Sequence, residues 1–193
     1  MFRPFAALFA IGLAVLSCSV PAAAQQRIPA GLDPQNTLLI DTQHGRMVIK
    51  LRNDLAPKHA ERLKTLAREK FYDGVPFHRV MAGFMAQTGD GQNRNGSGGS
   101  KYPDLQAEFS SVPFTRGVVG MARKGGNNNS ANSQFFIMLN EYPSLNGQYT
   151  VIGEVAQGMD VADKIKKAPP NDGSGTVINP DVMNSVQVAA DAK

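Results

Sequence analysis

Residues 77–90 read FHRVMAGFMAQTGD and contain two candidate short β-strands, at 77–80 and 84–87. The segments around them are rich in Gly, Asn and Ser, which are typical of turns and loops. Four further runs of similar length follow, at 118–121, 134–139, 151–155 and 185–189. Many short strands with few helices favour a mostly β protein, either a barrel or a sandwich.

The region before residue 77 predicts a hairpin and a helix. Apolar runs at 38–40 and 47–51 flank a polar stretch with Gly45, which is typical of a β-hairpin. Pro57 suits the first turn of a helix that extends to about Glu69. Apolar residues recur there at helical spacing, at Ala60, Leu63, Leu66 and Ala67.

A second, shorter helix is predicted at residues 159–166. Val161, Ala162 and Ile165 are the apolar side chains that it can bury. Helices therefore contribute only two elements to the predicted fold.

The composition is that of one globular domain, and it excludes several kinds of site. With 193 residues, of which 42% are hydrophobic and 19% charged, the chain can build a single core. Three histidines and one cysteine cannot supply a four-cysteine or two-cysteine, two-histidine zinc site, nor an internal disulfide. The sequence lacks a serine-hydrolase elbow, a phosphate-binding loop and a dinucleotide fingerprint. We therefore expect no metal and no cofactor. The net charge of +4 is spread over scattered residues, which disfavours nucleic-acid binding.

Residues 1–24 have the pattern of a secretory signal peptide. Arg3 supplies the positive start, an apolar run covers residues 5–16, and three alanines at 22–24 offer a cleavage site. The apolar run is too short for a stop-transfer helix, although an uncleaved membrane anchor is the alternative. Cys18 lies in an imperfect lipoprotein cleavage box, so lipid anchoring is a second alternative. Cleavage predicts a periplasmic or secreted protein of a bacterium.

The chain after the signal divides into a lead-in and one domain. Residues 25–36 are polar and contain Pro and Gly, which predicts a flexible lead-in, and the domain is expected at 37–190. Two stretches within it, 89–100 and 125–133, are rich in Gly, Asn and Ser. They are either flexible surface loops or loops whose backbone faces a ligand, because glycine permits close approach.

The stretch at 77–90 resembles the signature of the cyclophilins, the cyclosporin-sensitive class of peptidyl-prolyl isomerases. Further matches follow in family order at 95–99, 120–122, 132–137, 145–147 and 151–155. The likeness covers residues 38–188, and the chain is most similar to the compact, exported bacterial branch. It implies a closed eight-stranded antiparallel β-barrel capped by two α-helices, with a substrate groove on the outer wall of the barrel.

Isomerisation of an X-Pro bond requires rotation and no bond cleavage. Resonance gives the bond a barrier of about 18–20 kcal/mol, and a catalyst must bind the twisted amide better than either planar isomer. Twisting leaves a lone pair on the prolyl nitrogen, which a permanently charged donor beside apolar walls would stabilise. Arg79 matches the family's catalytic arginine, so the resemblance implies this role for it. A solvated surface arginine is the alternative.

Because side chains alternate along a strand, the residues of the run at 134–139 divide between two faces. Gln134 and Phe136 must share one face, and Phe135 and Ile137 the other. Because side chains fill a small barrel, we assign the second pair to the interior and the first pair to the groove. By the same rule Met85 and Gln87 share a face.

Nine further residues are predicted to contact the substrate, and seven of them are implied by the resemblance. It places four around the proline ring, namely Phe84, Met85, Phe136 and Leu145. It places Gln87 and the backbone of Ala122 and Arg123 along the peptide, and Gln134 and Tyr149 complete the set. Core packing is the alternative for the apolar residues, and ordinary surface amides are the alternative for Gln87 and Gln134.

Three positions depart from the pattern of many eukaryotic cyclophilins. Ser144 stands where they carry Trp, which predicts weak inhibition by cyclosporin. Tyr149 stands where they carry His, but it still offers a ring and a hydroxyl. Arg123 and Lys124 stand where they carry Asn and Ala, and this predicts a bias toward substrates with acidic neighbours. His78 is expected to be a hydrogen-bonded structural histidine.

The leading hypothesis is an exported prolyl isomerase that assists the folding of envelope or secreted proteins. It would act as a monomer on proline-containing polypeptides, without nucleic acid and without a membrane span after processing. A non-catalytic binder of Pro-containing segments would use the same groove and is the second hypothesis. A lipid-anchored envelope protein, based on Cys18, is the third.

Overall fold

The computed structural model describes residues 28–192, and in this range it contains one sheet of eight strands and two α-helices. The strands are β1 (Thr37–Thr42), β2 (Gly45–Leu51), β3 (Arg79–Met81), β4 (Met85–Thr88), β5 (Val118–Met121), β6 (Phe135–Met138), β7 (Val151–Gln157) and β8 (Ser185–Val188). The helices are α1 (Pro57–Arg68) and α2 (Met159–Lys164). Single 3₁₀ turns lie at Pro34–Asn36, Pro143–Leu145 and Ala189–Asp191. The mostly β, two-helix expectation is confirmed.

The eight strands form an open, curled half-barrel. Their order is β3-β4-β6-β5-β7-β2-β1-β8, and every pair is antiparallel. The terminal strands β3 and β8 do not pair with each other, so the expectation of a closed barrel is wrong. No ladder joins β3 to β8. Instead, the segment before β8 hydrogen-bonds to β3 and to the residues just before β3. Val177 N–H donates to the His78 carbonyl at 3.1 Å, and Phe77 N–H donates to the Asp181 carbonyl at 2.9 Å.

Local backbone chemistry explains why this closing segment is irregular. Gly175 has φ +76° and Asn179 has φ +51°, and neither value fits an extended strand. Pro180 has no N–H to donate to a ladder. The segment therefore makes only isolated bridges, one of which joins Arg79 to Thr176.

Helix α1 covers the inner core with the apolar face that the sequence predicts. Ala60, Leu63, Leu66 and Ala67 are all buried. Residue 56, before the first turn, is an alanine that cannot cap the helix, and the Glu108 carboxylate accepts the first N–H groups instead. Helix α2 ends at Lys164, two residues before the predicted end, because the backbone becomes extended at Ile165 (φ −55°, ψ 131°).

Two apolar clusters lie on opposite faces of the curled sheet. Phe135 and Ile137 point into the main core under the helices, as predicted. Phe136 points the other way and joins a smaller cluster on the outer wall with Met85 and Phe114. This second cluster forms the floor of the candidate active site. In the described range, no helix is long and apolar enough to cross a membrane.

Candidate active site

Nine of the ten predicted site residues line one small pocket of about 130 Å³ on the outer wall. They are Arg79, Phe84, Met85, Gln87, Ala122, Arg123, Phe136, Leu145 and Tyr149. Gln134 is the exception, since it lines a neighbouring space of about 410 Å³ that we call the outer cavity. Gln87, Ala122 and Arg123 border both spaces, so the small pocket and the outer cavity form one continuous groove.

The floor of the small pocket is apolar and aromatic. Met85 and Phe136 are buried, and strand pairing of β4 with β6 brings them to the same face. The Phe136 ring stacks on Phe114 with 5.7 Å between centroids, and Tyr149 meets Phe136 edge-on at 5.5 Å. At the rim, Phe84 packs on Tyr142 at 4.4 Å. Such a hollow can enclose a pyrrolidine ring without hydrogen-bonding it.

Two of these aromatic residues, Phe114 and Tyr142, were not predicted from the sequence. Both lie in irregular chain outside the strands, where no periodicity marks a buried face. Neither is itself part of the pocket wall: Phe114 supports Phe136 from beneath and Tyr142 supports Phe84 from the side.

Arg79 lies in β3 with its guanidinium held at the pocket wall. Its Nε donates to the Ser174 carbonyl at 2.8 Å, and one terminal nitrogen contacts the Met81 sulfur at 3.3 Å. The side chain is half-buried, and no carboxylate of residues 28–192 lies within ion-pair distance of it. The guanidinium is therefore held in a fixed position, unlike that of a freely solvated surface arginine. Its charge is not neutralised by an ion pair within the described range.

The turn at residues 172–176 supports this position of Arg79. The Asp172 carboxylate accepts the Ser174 N–H at 2.9 Å and the Ser174 hydroxyl at 2.6 Å. Gly175 packs against β3 so closely that a Cβ there would lie 2.5 Å from Met81 Cγ and 3.2 Å from Arg79 Cγ. Sequence reasoning missed this turn because it is 95 residues from Arg79 along the chain.

A chain of hydrogen bonds orients the two glutamines. Gln134 Nε2 donates to the carbonyls of Gly96 and Gly98 at 2.9 and 2.8 Å, and its Oε1 accepts from Gln87 Nε2 at 2.9 Å. Gln87 Oε1 has no protein partner within the described range, so it is available as an acceptor beside the pocket. Gln134 therefore positions Gln87 from outside the small pocket.

The loop at 89–100 is held by one buried carboxylate. Asp90 accepts backbone N–H groups from Asn93, Asn95, Gly96 and Gly98 at 2.8–3.1 Å. Burial acts to raise the pKa of Asp90, but these four donors together hold it below its usual value. The backbone of this loop is therefore tied to Asp90, and its Gly96 and Gly98 carbonyls bond Gln134; that the loop backbone faces a ligand stays a prediction.

His78 lines neither the small pocket nor the outer cavity. Its side chain is buried, and burial lowers the pKa of its ring, so the ring is neutral at pH 7. The expected hydrogen bond is not found, since neither ring nitrogen has a partner in the described range. In that range no group of three or more His, Cys, Asp or Glu side chains could hold a metal ion.

An apolar, aromatic floor beside the fixed cation of Arg79 suits rotation of an amide better than bond cleavage, and comparison with known proteins agrees. The family model described as cyclophilin type peptidyl-prolyl cis-trans isomerase/CLD matches residues 37–188. The chain belongs to the cyclophilin-type peptidyl-prolyl cis-trans isomerases. The resemblance seen in the sequence is thereby confirmed, and with it the class of enzyme.

Relatives of this cyclophilin occur in distant organisms. A probable peptidyl-prolyl cis-trans isomerase of Brucella suis is 53% identical over 171 residues, which are 83% of this chain and 86% of the relative. Peptidyl-prolyl cis-trans isomerase-like 3 of Rattus norvegicus is 38% identical over 140 residues, 70% of this chain and 85% of the relative.

Solved cyclophilin structures share the fold. AquaCyp293 from Hirschia baltica superposes with a TM-score of 0.74 at 25% identity, covering 84% of this chain and 77% of that one. A Cryptosporidium parvum cyclophilin, crystallised in the presence of the dipeptide Ala-Pro, gives a TM-score of 0.70 at 24% identity and covers 79% of this chain and 98% of that one.

Proposed function

We propose that this cyclophilin uses Arg79 as its catalytic residue to accelerate X-Pro rotation in proteins that fold in the bacterial cell envelope. The observation that carries the proposal is the convergence of Arg79 with eight other predicted residues on one small pocket. Proline-containing polypeptides are its substrates, bound with the ring over the floor of Met85 and Phe136.

Arg79 can stabilise the twisted amide because part of its donor set is free. Its Nε is occupied by the Ser174 carbonyl, whereas its Nη1 donates to no residue of the described range. Nη1 can therefore donate to the prolyl nitrogen when rotation localises the lone pair there. The apolar wall strengthens this interaction because it excludes water. Neither planar isomer offers that lone pair, so the gain is confined to the transition state.

The groove also offers backbone groups for an extended peptide. Ala122 N–H is occupied by the Gln134 carbonyl at 2.9 Å, but Arg123 N–H and the Ala122 carbonyl bond to nothing in the described range. These two groups, with Gln87 Oε1, can pair with the main chain of a substrate.

Exchange NMR on an Ala-Pro peptide tests the mechanism. Replacing Arg79 by Ala removes the charged donor, and we expect kcat/KM to fall by about 10²-fold or more. Arg52→Ala is the matched control, because Arg52 is an arginine outside the groove that pairs with Asp54. Circular dichroism verifies that both variants fold. Equal exchange rates for wild type and a folded Arg79→Ala would contradict the mechanism, and peptide binding without turnover in wild type would favour a non-catalytic binder.

Our proposal for the cellular location rests on residues 1–24, which lie outside the described range. We propose that the chain is exported, cleaved near Ala24 and active in the periplasm or after secretion as a monomeric domain of residues 37–190 behind a short lead-in. The support is the charged start, apolar run and alanine-rich end of this segment. Mass spectrometry of the mature N-terminus tests cleavage, and light scattering tests the monomer. A lipid mass on Cys18 or an intact N-terminus would contradict the proposal.

A further inference from the structure

We propose that Arg123 is a specificity-determining residue that makes this cyclophilin prefer substrates with an acidic side chain within three residues of the proline. This inference rests on the proposed isomerase function and adds a substrate class to it. The reasons are the position of Arg123, the charge balance of the groove and the way the guanidinium is held.

Arg123 stands where the small pocket meets the outer cavity, since it lines both. An extended chain advances about 3.3 Å per residue, so residues one to three positions from a bound proline reach into the outer cavity. Such a residue comes near Arg123, because Gln87, Ala122 and Arg123 are the residues that line both spaces.

The charges that line the groove do not cancel. Asp104 is the single carboxylate in either lining, and Lys124 pairs with it at 3.4 Å while Asn132 Nδ2 donates to it at 2.9 Å. Arg79 and Arg123 are then left without an anionic partner in the described range. A groove with two uncompensated cations attracts anionic ligands and disfavours cationic ones.

The Arg123 guanidinium is held in place before any ligand arrives. It lies 4.6 Å over the Tyr149 ring, its Nε donates to the Gln148 carbonyl at 3.2 Å, and its Nη1 to the Lys124 carbonyl at 3.3 Å. Its Nη2 has no partner in the described range, so it can donate to a carboxylate. Because the side chain is already ordered and half-buried, a charge-assisted bond to it costs little additional entropy.

A peptide series measures the preference. Each peptide contains one Ala-Pro bond and carries Glu, Gln or Lys at one of the two positions before the Ala or at one of the three positions after the proline. We expect kcat/KM for the Glu peptide to exceed that for the Lys peptide by about five- to tenfold at one or more positions. A ratio of this size lies between the effect of an exposed ion pair and that of a buried charged hydrogen bond. Raising the salt to about 0.5 M should reduce this ratio because the groove is open to solvent.

Charge reversal assigns the preference to one side chain. Arg123→Gln should abolish the Glu-over-Lys ratio and Arg123→Glu should invert it, whereas Lys50→Gln, which removes a positive charge outside both linings, should leave it unchanged. A ratio near one at every position in wild type, or a ratio that survives in Arg123→Gln, would overturn the inference. Turnover of the Gln peptides reports on the proposed function separately. If no peptide is turned over, NMR titration of the same series still measures whether Arg123 sets a charge preference in binding.

Discussion

At the scale of single residues, the site depends on polar groups that hold each other rather than on groups that react. Asp90 is the most connected of them, because one buried carboxylate orders the backbone of the loop whose carbonyls hold Gln134. Gln134 in turn orients Gln87. Asp90 and Gln134 lie outside the small pocket, and they still determine where the Gln87 Oε1 acceptor points.

Replacing Asp90 by Asn should destabilise the protein by about 1–3 kcal/mol at neutral pH, because an amide accepts fewer N–H bonds and presents its own NH₂ to the donors. Folding lowers the pKa of this carboxyl below its ordinary value of 3.8. The stabilisation is therefore complete above that value and is lost as the pH falls through the lowered pKa. Urea unfolding at about pH 7 and about pH 3 measures both effects.

The matched control for Asp90 is Asp160→Asn, since Asp160 is an exposed carboxylate in an i,i+4 pair with Lys164. Surface pairs of this kind contribute about 0–1 kcal/mol. A difference between the Asp90 variant and wild type that stays constant down to about pH 3 would show that the carboxylate charge is not what holds the loop.

At the scale of structural elements, the short turn at 172–176 is the one that positions Arg79. β3 is an edge strand with only three residues, and it pairs with β4 on one side and with this irregular turn on the other. Gly175 has φ +76° and leaves no room for a side chain against Met81 and Arg79. The turn therefore determines how far the guanidinium extends over the pocket.

Gly175→Ala should displace Arg79 and lower kcat/KM by about tenfold, because a shift of 1 Å at a positioned group can cost as much as 10²-fold. KM should change less than kcat, since the apolar floor of the pocket is untouched. Gly31→Ala is the matched control: Gly31 has φ +86°, so an alanine there carries similar backbone strain, but no atom lies within 4 Å of its added Cβ. Exchange NMR on both variants gives the comparison, and equal kcat values would show that the turn does not position Arg79.

At the scale of the whole molecule, the curled sheet encloses a core that contains two histidines. His59 and His78 are both buried, and burial is the main cause that lowers the pKa of each ring below 6.5. The unfolded chain therefore binds protons near that pH that the folded chain does not. By linkage, the free energy of unfolding must decrease as the pH falls below about 6.5.

Urea unfolding at about pH 7.5 and about pH 5 should show this loss, with an upper limit near 1.4 kcal/mol per histidine and pH unit. NMR titration of the ring protons identifies the groups: we expect the pKa of His59 and of His78 in the folded protein to lie below 6.5, although the Glu108 carboxylate, 2.6 Å from His59 Nδ1, opposes the shift of His59. Stability that rises toward pH 5, or ring titration of both residues near 6.5, would contradict the prediction.

Strand alternation and helix periodicity predict much of this structure from the sequence alone. Phe135 and Ile137 were assigned to the core and Phe136 to the groove, and all three assignments are confirmed, because alternation along a strand is a local property of the backbone. The family motifs at 77–90 and 132–137 likewise located the pocket. The structure brings nine of the ten predicted residues to it, while their roles stay predictions.

Other features depended on contacts between distant parts of the chain, and no local pattern could reveal them. The sheet is open because an irregular segment with a proline and residues of positive φ stands where a ladder would close it. The carbonyl that holds Arg79 belongs to Ser174, and Phe114 supports the pocket floor from a segment without periodicity. Periodicity indicates which residues of a strand or helix face the core. Which distant residues they contact is determined by the packing of the whole chain.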